Sequence, residues 1–215
     1  MKYDKIIKGK TFIGNPNISE PDPNQPFGKV DHNALGFAWR PGREKESILI
    51  EDCTIDANGV AEGLKLSYTH DVKVKNCTIT GGYEDCVDIV RGGRIMFEGC
   101  TFISNNTKHH FTIKCQVDDI KIVNCIFRNN FRWIWDGAFV DMGNWGDYNV
   151  EDLPKTKNIQ IIDCTFENVS WWKRILTRRL FAENAIVKNT KGFNFKIPKL
   201  FVKIFWHHKR YMKSE

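Results

Sequence analysis

Apolar and polar residues alternate along this chain in a unit that occurs five times. Each unit has the order apolar, any residue, apolar, two further residues, Cys, any residue, apolar. The five copies are Ile48–Ile55, Val72–Ile79, Ile95–Phe102, Ile120–Phe127 and Ile159–Phe166, and their cysteines are separated by 24, 23, 25 and 39 residues. Alternation with a period of two predicts β-strands, and a fixed repeat length predicts stacked structural units.

A sharp bend is predicted at the residue before each cysteine, which is Asp, Asn or Gly in every copy. These residues tolerate the left-handed backbone that a bend requires. A second strand precedes the later copies, with a charged residue between two apolar ones, at Leu64–Leu66, Val87–Ile89, Ile113–Cys115 and Val140–Met142. Each repeat thus contains a strand, a bend and a short strand within about 24 residues. This arrangement fits one coil of a parallel β-helix, whose coils stack about 4.8 Å apart. We predict an all-β solenoid of about six coils.

The cysteines are predicted to pack inside this solenoid. Five of the seven occupy the same position of the repeat, so each would lie against its equivalent in the next coil. An odd number of cysteines in a chain of 215 residues does not favour a disulfide framework. One cysteine per coil cannot form a tetrahedral metal site, so buried packing is the interpretation.

Charge divides the chain into two parts. Residues 171–215 contain 12 Lys or Arg and two Glu, whereas residues 1–170 carry 20 basic and 24 acidic side chains. We predict a β-helix over 1–170, followed by a last coil and a basic, aromatic C-terminal cap over 171–215, since an open β-helix needs its sheet edge covered. The alternative is a contact between this basic segment and a membrane surface or a protein. No nucleic-acid-binding motif accompanies the charge, so no nucleic acid partner is expected.

The sequence leaves the localisation open. No run approaches 18 apolar residues and no apolar signal segment is visible near the N-terminus, so neither a membrane span nor a secretion signal is predicted. Extracellular or virion-associated action stays compatible with the chain.

Charged residues of successive coils are predicted to form a column on one outer face. Parallel stacking would place Lys65, Asp88, Lys114 and Asp141 in that column, with His110 further along the same strand as Lys114. The column is either a solvated ladder of alternating charges or a polar cleft that binds substrate. For His110, a structural role and a substrate contact both stay open.

A group of acids suggests a cation. Glu84, Asp85 and Asp88 lie within five residues, and their charges repel unless a cation or a lysine lies between them. Ca²⁺ is the natural partner of several carboxylates, and Asp56 is a further candidate ligand. The alternative is a turn with solvated acids.

Arginine and tryptophan are concentrated between two coils, at Arg132, Trp133 and Trp135. Arg binds carboxylates through two parallel hydrogen bonds, and Trp offers a flat surface for sugar rings, although a bulky core or cap would use the same residues. The longer interval between Cys125 and Cys164 predicts a projecting loop at 143–158.

The stretch from Gly82 to Gly137 resembles the central coils of pectate lyases and related polysaccharide lyases, which are right-handed parallel β-helix proteins. The matching pieces are Tyr83–Ile89 with Arg91-Gly92, Ile95–Phe102, Lys108–Ile113 and Cys125–Arg132. The resemblance implies calcium ligands at Glu84 and Asp88, a lysine of the next coil at Lys108 with Lys114 as its rival, and a catalytic Arg at Arg132. It covers about a quarter of the chain.

The resemblance implies a polysaccharide lyase that cleaves an acidic, polyuronate glycan by calcium-assisted β-elimination. Arg132 would be the base, but arginine is effectively always protonated, so Lys114 or Lys108 is chemically easier. Two further classes stay open: a non-catalytic glycan-binding or structural β-helix, such as a component of a phage tail, and a glycoside hydrolase. A hydrolase needs two carboxylates at a suitable separation, and a lysine between Asp88 and Asp141 would disfavour it.

Overall fold

The chain consists of parallel β-strands wherever the structure, a computed structural model, describes it. The described residues are 2–16, 33–38, 46–105, 109–130, 140–143, 157–168, 178–180 and 186–191. They form strands and connecting bends, and within these ranges no helix has the length and apolar character needed to cross a membrane.

The strands form two sheets. The larger contains β1 (Lys5–Lys8), β3 (Asn33–Ala38), β4 (Ile48–Glu51), β6 (Glu62–Lys75), β8 (Asp85–Glu98), β10 (His109–Val123), β12 (Val140–Gly143), β13 (Lys157–Ile162), β15 (Arg178–Leu180) and β16 (Ile186–Lys188). The smaller contains β2 (Thr11–Ile13), β5 (Thr54–Asp56), β7 (Thr78–Thr80), β9 (Thr101–Ser104), β11 (Ile126–Asn129) and β14 (Thr165–Glu167). All pairings are parallel, and each strand pairs with its equivalent one coil away.

Each coil has three sides, because the long strands of the larger sheet bend in the middle. Tyr68, Asp71, Arg91, Arg94 and Asp119 have φ between 52° and 57° at these bends. The first half of β6, β8 and β10 is therefore the first side of the coil, and the second half is the second side. The smaller sheet is the third side.

The corner between the second and third sides is the one that the sequence predicted. Asp52, Asn76, Gly99, Asn124 and Asp163 precede the repeated cysteines and have φ between 51° and 64°. Only this left-handed conformation turns the chain within one residue, and Asp, Asn and Gly adopt it at the lowest cost. The predicted turn is confirmed at all five positions.

The cysteines at this corner are buried and stacked. Cys53, Cys77, Cys100, Cys125 and Cys164 have at most 2% of their surface exposed, and the described cysteines are free thiols. The backbone N–H of Cys53 donates to Sγ of Cys77 at 3.4 Å, and the same contact joins Cys100 to Cys125 and Cys125 to Cys164. The predicted packing is confirmed, and the thiols also satisfy buried N–H groups at the corner.

We expect these thiols to be unreactive until the protein unfolds. All six described cysteines are buried, so a reagent in solution does not reach their sulfur atoms. Thiol reagents need an exposed thiolate. Titration with a chromogenic disulfide should detect at most one fast-reacting thiol in the folded chain and seven in denaturant. Fast reaction of several thiols without denaturant would contradict the buried ladder.

The predicted fold class is confirmed as an all-β parallel solenoid. The described strands make about four turns, with shorter strands at either end, so the predicted count of about six differs slightly. β15 and β16 continue the larger sheet beyond β12 and β13. The predicted loop falls largely on 144–156, and most of the predicted cap falls on 192–215; both ranges lie outside the described residues.

Candidate functional site

Polar residues form a column across the first side of the solenoid. Strand register places Lys65 opposite Asp88, Asp88 opposite Thr112, Thr112 opposite Asp141 and Asp141 opposite Arg179. We call these five residues the polar column. Neighbouring members are about 4.8 Å apart along the solenoid axis.

The predicted position of Lys114 in this column is wrong. Thr112 takes that place, and Lys114 pairs with Val90 and Gly143, two residues further along. A β-bulge contributes to this difference: the register shifts between Lys114 and Val117, so β10 contains one residue more than β8 before its bend. Counted back from Cys125, the position that matches Asp88 moves from Ile113 to Thr112.

Three charged groups meet around Lys65 at one end of the polar column. The Lys65 ammonium lies 3.2 Å from Oδ2 of Asp88 and 3.5 Å from Oε1 of Glu62. Asp88 has no exposed surface, the Glu62 side chain is 2% exposed and the Lys65 side chain is 12% exposed. We call these residues the charged triad. Charged side chains are rarely buried to this extent unless they are paired, and such groups are concentrated at functional sites.

Two further acids of the predicted cluster lie beside the triad. Asp85 is buried and stands opposite Glu62 in the strand register. The backbone N–H groups of Glu84 and Asp85 both donate to the carbonyl of Ala61. A Cβ added at Gly82 would lie 1.5 Å from the Val60 carbonyl oxygen, so this glycine lets the turn before Glu84 pack against the preceding coil.

On the first side, the exposure of the side chains increases towards the bend of each strand. Asp88 and Thr112 are buried, whereas Ser67 and Val90 are half-buried. Ser67, Val90, Lys114 and Gly143 share one register, and we call them the outer column. The outer column therefore lies beside the polar column, two residues further along each strand, and its members Ser67 and Val90 are more accessible to a ligand than Asp88 and Thr112.

A ladder of alternating charges, one of the two interpretations of the predicted column, is present on the second side instead. Lys8 and Lys75 both contact Glu51, at 2.8 and 3.1 Å. Their hydrogen bonds lower the pKa of Glu51, and the bond that Lys8 donates to Glu51 raises the pKa of Lys8. The two lysine side chains keep 60% and 37% of their surface exposed and Glu51 keeps 16%, so solvent screens these pairs more than the charged triad and they contribute less to stability.

His110 lies away from the polar column. Its side chain is 4% exposed, its Nε2 lies 2.9 Å from the carbonyl oxygen of Arg128, and its ring packs against Phe127 with 5.7 Å between the centroids. These contacts direct His110 towards the third side and give it a structural role, and they offer no support for a substrate contact.

The acids predicted to bind calcium do not fit that ion. Asp56 belongs to the other sheet, where its Oδ1 accepts the backbone N–H of Asn58 at 2.9 Å. Where Asp88 would meet a cation, it already meets the Lys65 ammonium. Among the described residues, no three His, Cys, Asp or Glu side chains are grouped so that they could hold a metal. We therefore derive no step through calcium.

Several predicted site residues are known only in part. Lys108, Arg132, Trp133 and Trp135 lie outside the described residues. Lys114 and Asp141 are placed by strand register alone. The predicted roles of these six residues in substrate binding or catalysis stay predictions.

Sequence reasoning missed Glu62, Thr112 and Arg179. Glu62 precedes Asp85 by 23 residues, the same interval that separates Lys65 from Asp88, so aligning whole coils would have found it. Thr112 was missed because of the bulge. Arg179 belongs to a short strand without a cysteine template, and no signal in the sequence marked it.

The three-sided parallel coils and the stacked corners define the class of β-solenoid proteins. A family profile described as the right-handed β-helix region matches residues 32–170, which is more than half of the chain. The protein belongs to this family of right-handed β-helix proteins. No curated protein and no solved structure matches the chain. A carbohydrate-active or a structural β-helix protein fits this fold.

Proposed function

We propose that the protein is a polysaccharide lyase that binds an acidic glycan across the strands of the first side. The observation that carries the proposal is the buried charged triad beside the half-buried Ser67 and Val90 of the outer column. A purely structural β-helix surface can have partly exposed ion pairs such as those of the second side. Buried charged groups, in contrast, are concentrated at functional sites.

The cations of this face suit a polyuronate. Arg179 is a member of the polar column and Lys114 belongs to the outer column, whereas the charge of Lys65 is already balanced by Glu62 and Asp88. Residues 1–170 carry net negative charge, so a negatively charged glycan needs local cations in order to approach. A positive charge next to the uronate carboxylate also acidifies the hydrogen at C5, which β-elimination removes.

Lys114 is the base in this proposal. Its register neighbours, Val90 and Gly143, are uncharged, and a lysine is a chemically easier base than an arginine. Lys65 contacts two carboxylates, which favour its protonated form, so it neutralises charge and does not accept a proton. Arg132, which the resemblance names, is chemically harder to deprotonate. The base takes the C5 proton, a C4–C5 double bond forms and the bond from C4 to the glycosidic oxygen breaks.

One observation favours a glycoside hydrolase as the second candidate. Thr112, and not a lysine, lies between Asp88 and Asp141. Two coils separate these acids by about 9.6 Å, at the upper limit for an inverting hydrolase. Asp88, however, is fully buried and paired with Lys65, so a water or a sugar oxygen has no direct access to it. Hydrolysis therefore ranks second.

The products distinguish the two reactions. We expect incubation of the full chain with a panel of polyuronates to generate new reducing ends together with the near-ultraviolet absorbance of an unsaturated uronate. Reducing ends without that absorbance would support hydrolysis and contradict the lyase. Binding of a glycan without any new ends would support a non-catalytic protein, and neither binding nor cleavage of any polyuronate would reject the proposal.

A further inference from the structure

The charged triad contains its own cation. The Lys65 ammonium lies within 3.5 Å of carboxylate oxygens from two neighbouring strands, Glu62 on β6 itself and Asp88 on β8. Both acids are almost fully buried, so solvent screens their charges weakly. A cation in contact with both is therefore a requirement of the folded chain.

We infer that Lys65 is a fixed internal cation that takes the place of a divalent metal on this face. The expectation of calcium arose from Glu84, Asp85 and Asp88. Of these three, Asp88 meets the Lys65 ammonium in the structure, and Glu62 is the second carboxylate that this ammonium contacts. Lys65 has core neighbours on its own strand, since Leu64 and Leu66 are fully buried, and these hold its backbone in place. Folding and melting of the protein are then independent of calcium. This inference does not rest on the proposed function.

Thermal unfolding of the full wild-type chain is the first test. A metal that binds the folded state raises the melting temperature, whereas a chelator that removes it lowers the melting temperature. We expect the same melting temperature in excess calcium chloride and in EDTA. A rise of several degrees in calcium would overturn the inference, and this comparison needs no variant.

Lys65→Met is the second test, with Lys73→Met as the matched control. Lys65→Met keeps most of the side-chain volume but leaves two buried carboxylates without their ammonium, so we expect the melting temperature to fall by about 10 °C. Lys73 contacts Glu98 at 2.6 Å, but the two side chains keep 28% and 35% of their surface exposed, so the loss of Lys73 should cost no more than about 3 °C. Equal falls in the two variants would overturn the inference.

A double variant separates charge from packing. Asp88→Asn added to Lys65→Met removes one of the two carboxylate charges that contact Lys65 in the wild type and preserves the shape of the side chain. We expect it to recover part of the melting temperature lost in the single variant. A double variant that melts below Lys65→Met would show that the loss came from packing of the lysine stem, and the inference would fail.

Discussion

Phe102→Ala is expected to lower the free energy of unfolding by about 3–5 kcal/mol. Phe102 has no exposed surface, and its ring lies 5.7 Å from that of Phe97, 4.6 Å from that of Phe111 and 5.2 Å from that of Phe127. These four rings come from all three sides of the solenoid, so they join the sides of several coils into one core. Removing the central ring leaves a cavity that neighbouring strands, held by ladder hydrogen bonds, cannot close.

Phe12→Ala is the matched control for this substitution. Phe12 occupies the equivalent position in β2, at the end of the same stack of residues, and is half-buried. Its loss should cost clearly less than the loss of Phe102, because the removed ring is partly solvated. Urea unfolding monitored by tryptophan fluorescence measures both. The same midpoint for the two variants would contradict a continuous core centred on Phe102.

The corners of the solenoid were predictable because they demand particular residues. The residue at each of these turns has a left-handed backbone, which Asp, Asn and Gly adopt more easily than other residues. The next position is buried and accommodates a small side chain such as Cys. Both requirements recur in every coil. The repeat is therefore visible in one sequence, without comparison to any other.

The polar column was predictable only in part, because alternation cannot reveal a bulge. Ile113-Lys114-Cys115 and Phe111-Thr112-Ile113 have the same apolar, polar, apolar pattern. One extra residue before the bend of β10 moves the column position, counted back from Cys125, from Ile113 to Thr112. The error mattered for function, since it placed a lysine between two acids where the structure has a threonine.

The direction of a side chain could not be predicted from the sequence at the ends of strands. His110 and Asp56 lie near the ends of their strands, where the alternation between inside and outside is interrupted. Packing then sets their direction: His110 contacts Phe127 and the Arg128 carbonyl, and Asp56 accepts the N–H of Asn58. Local pattern contains no information about these long-range partners.

Lys114→Met is expected to lower the rate of unsaturated-product formation by about 10²–10⁴-fold, the usual contribution of a positioned base. The melting temperature should stay close to that of the wild type, since Lys114 stands in register with the uncharged Val90 and Gly143. A catalytic base also affects how the reaction rate depends on pH. The wild-type rate should rise with pH as the lysine loses its proton, and this rise should be absent from the variant.

Lys121→Met and Asp88→Asn are the controls that show whether the loss of rate is specific to Lys114. Lys121 is an exposed lysine on the second side, and its loss should leave the rate unchanged. Asp88→Asn should lower the melting temperature, because Lys65 loses a partner, but should keep the rate within about tenfold of the wild type. The reverse outcome would be an active Lys114→Met and an inactive but folded Asp88→Asn. It would contradict Lys114 as the base of an elimination and would favour hydrolysis by the buried acids.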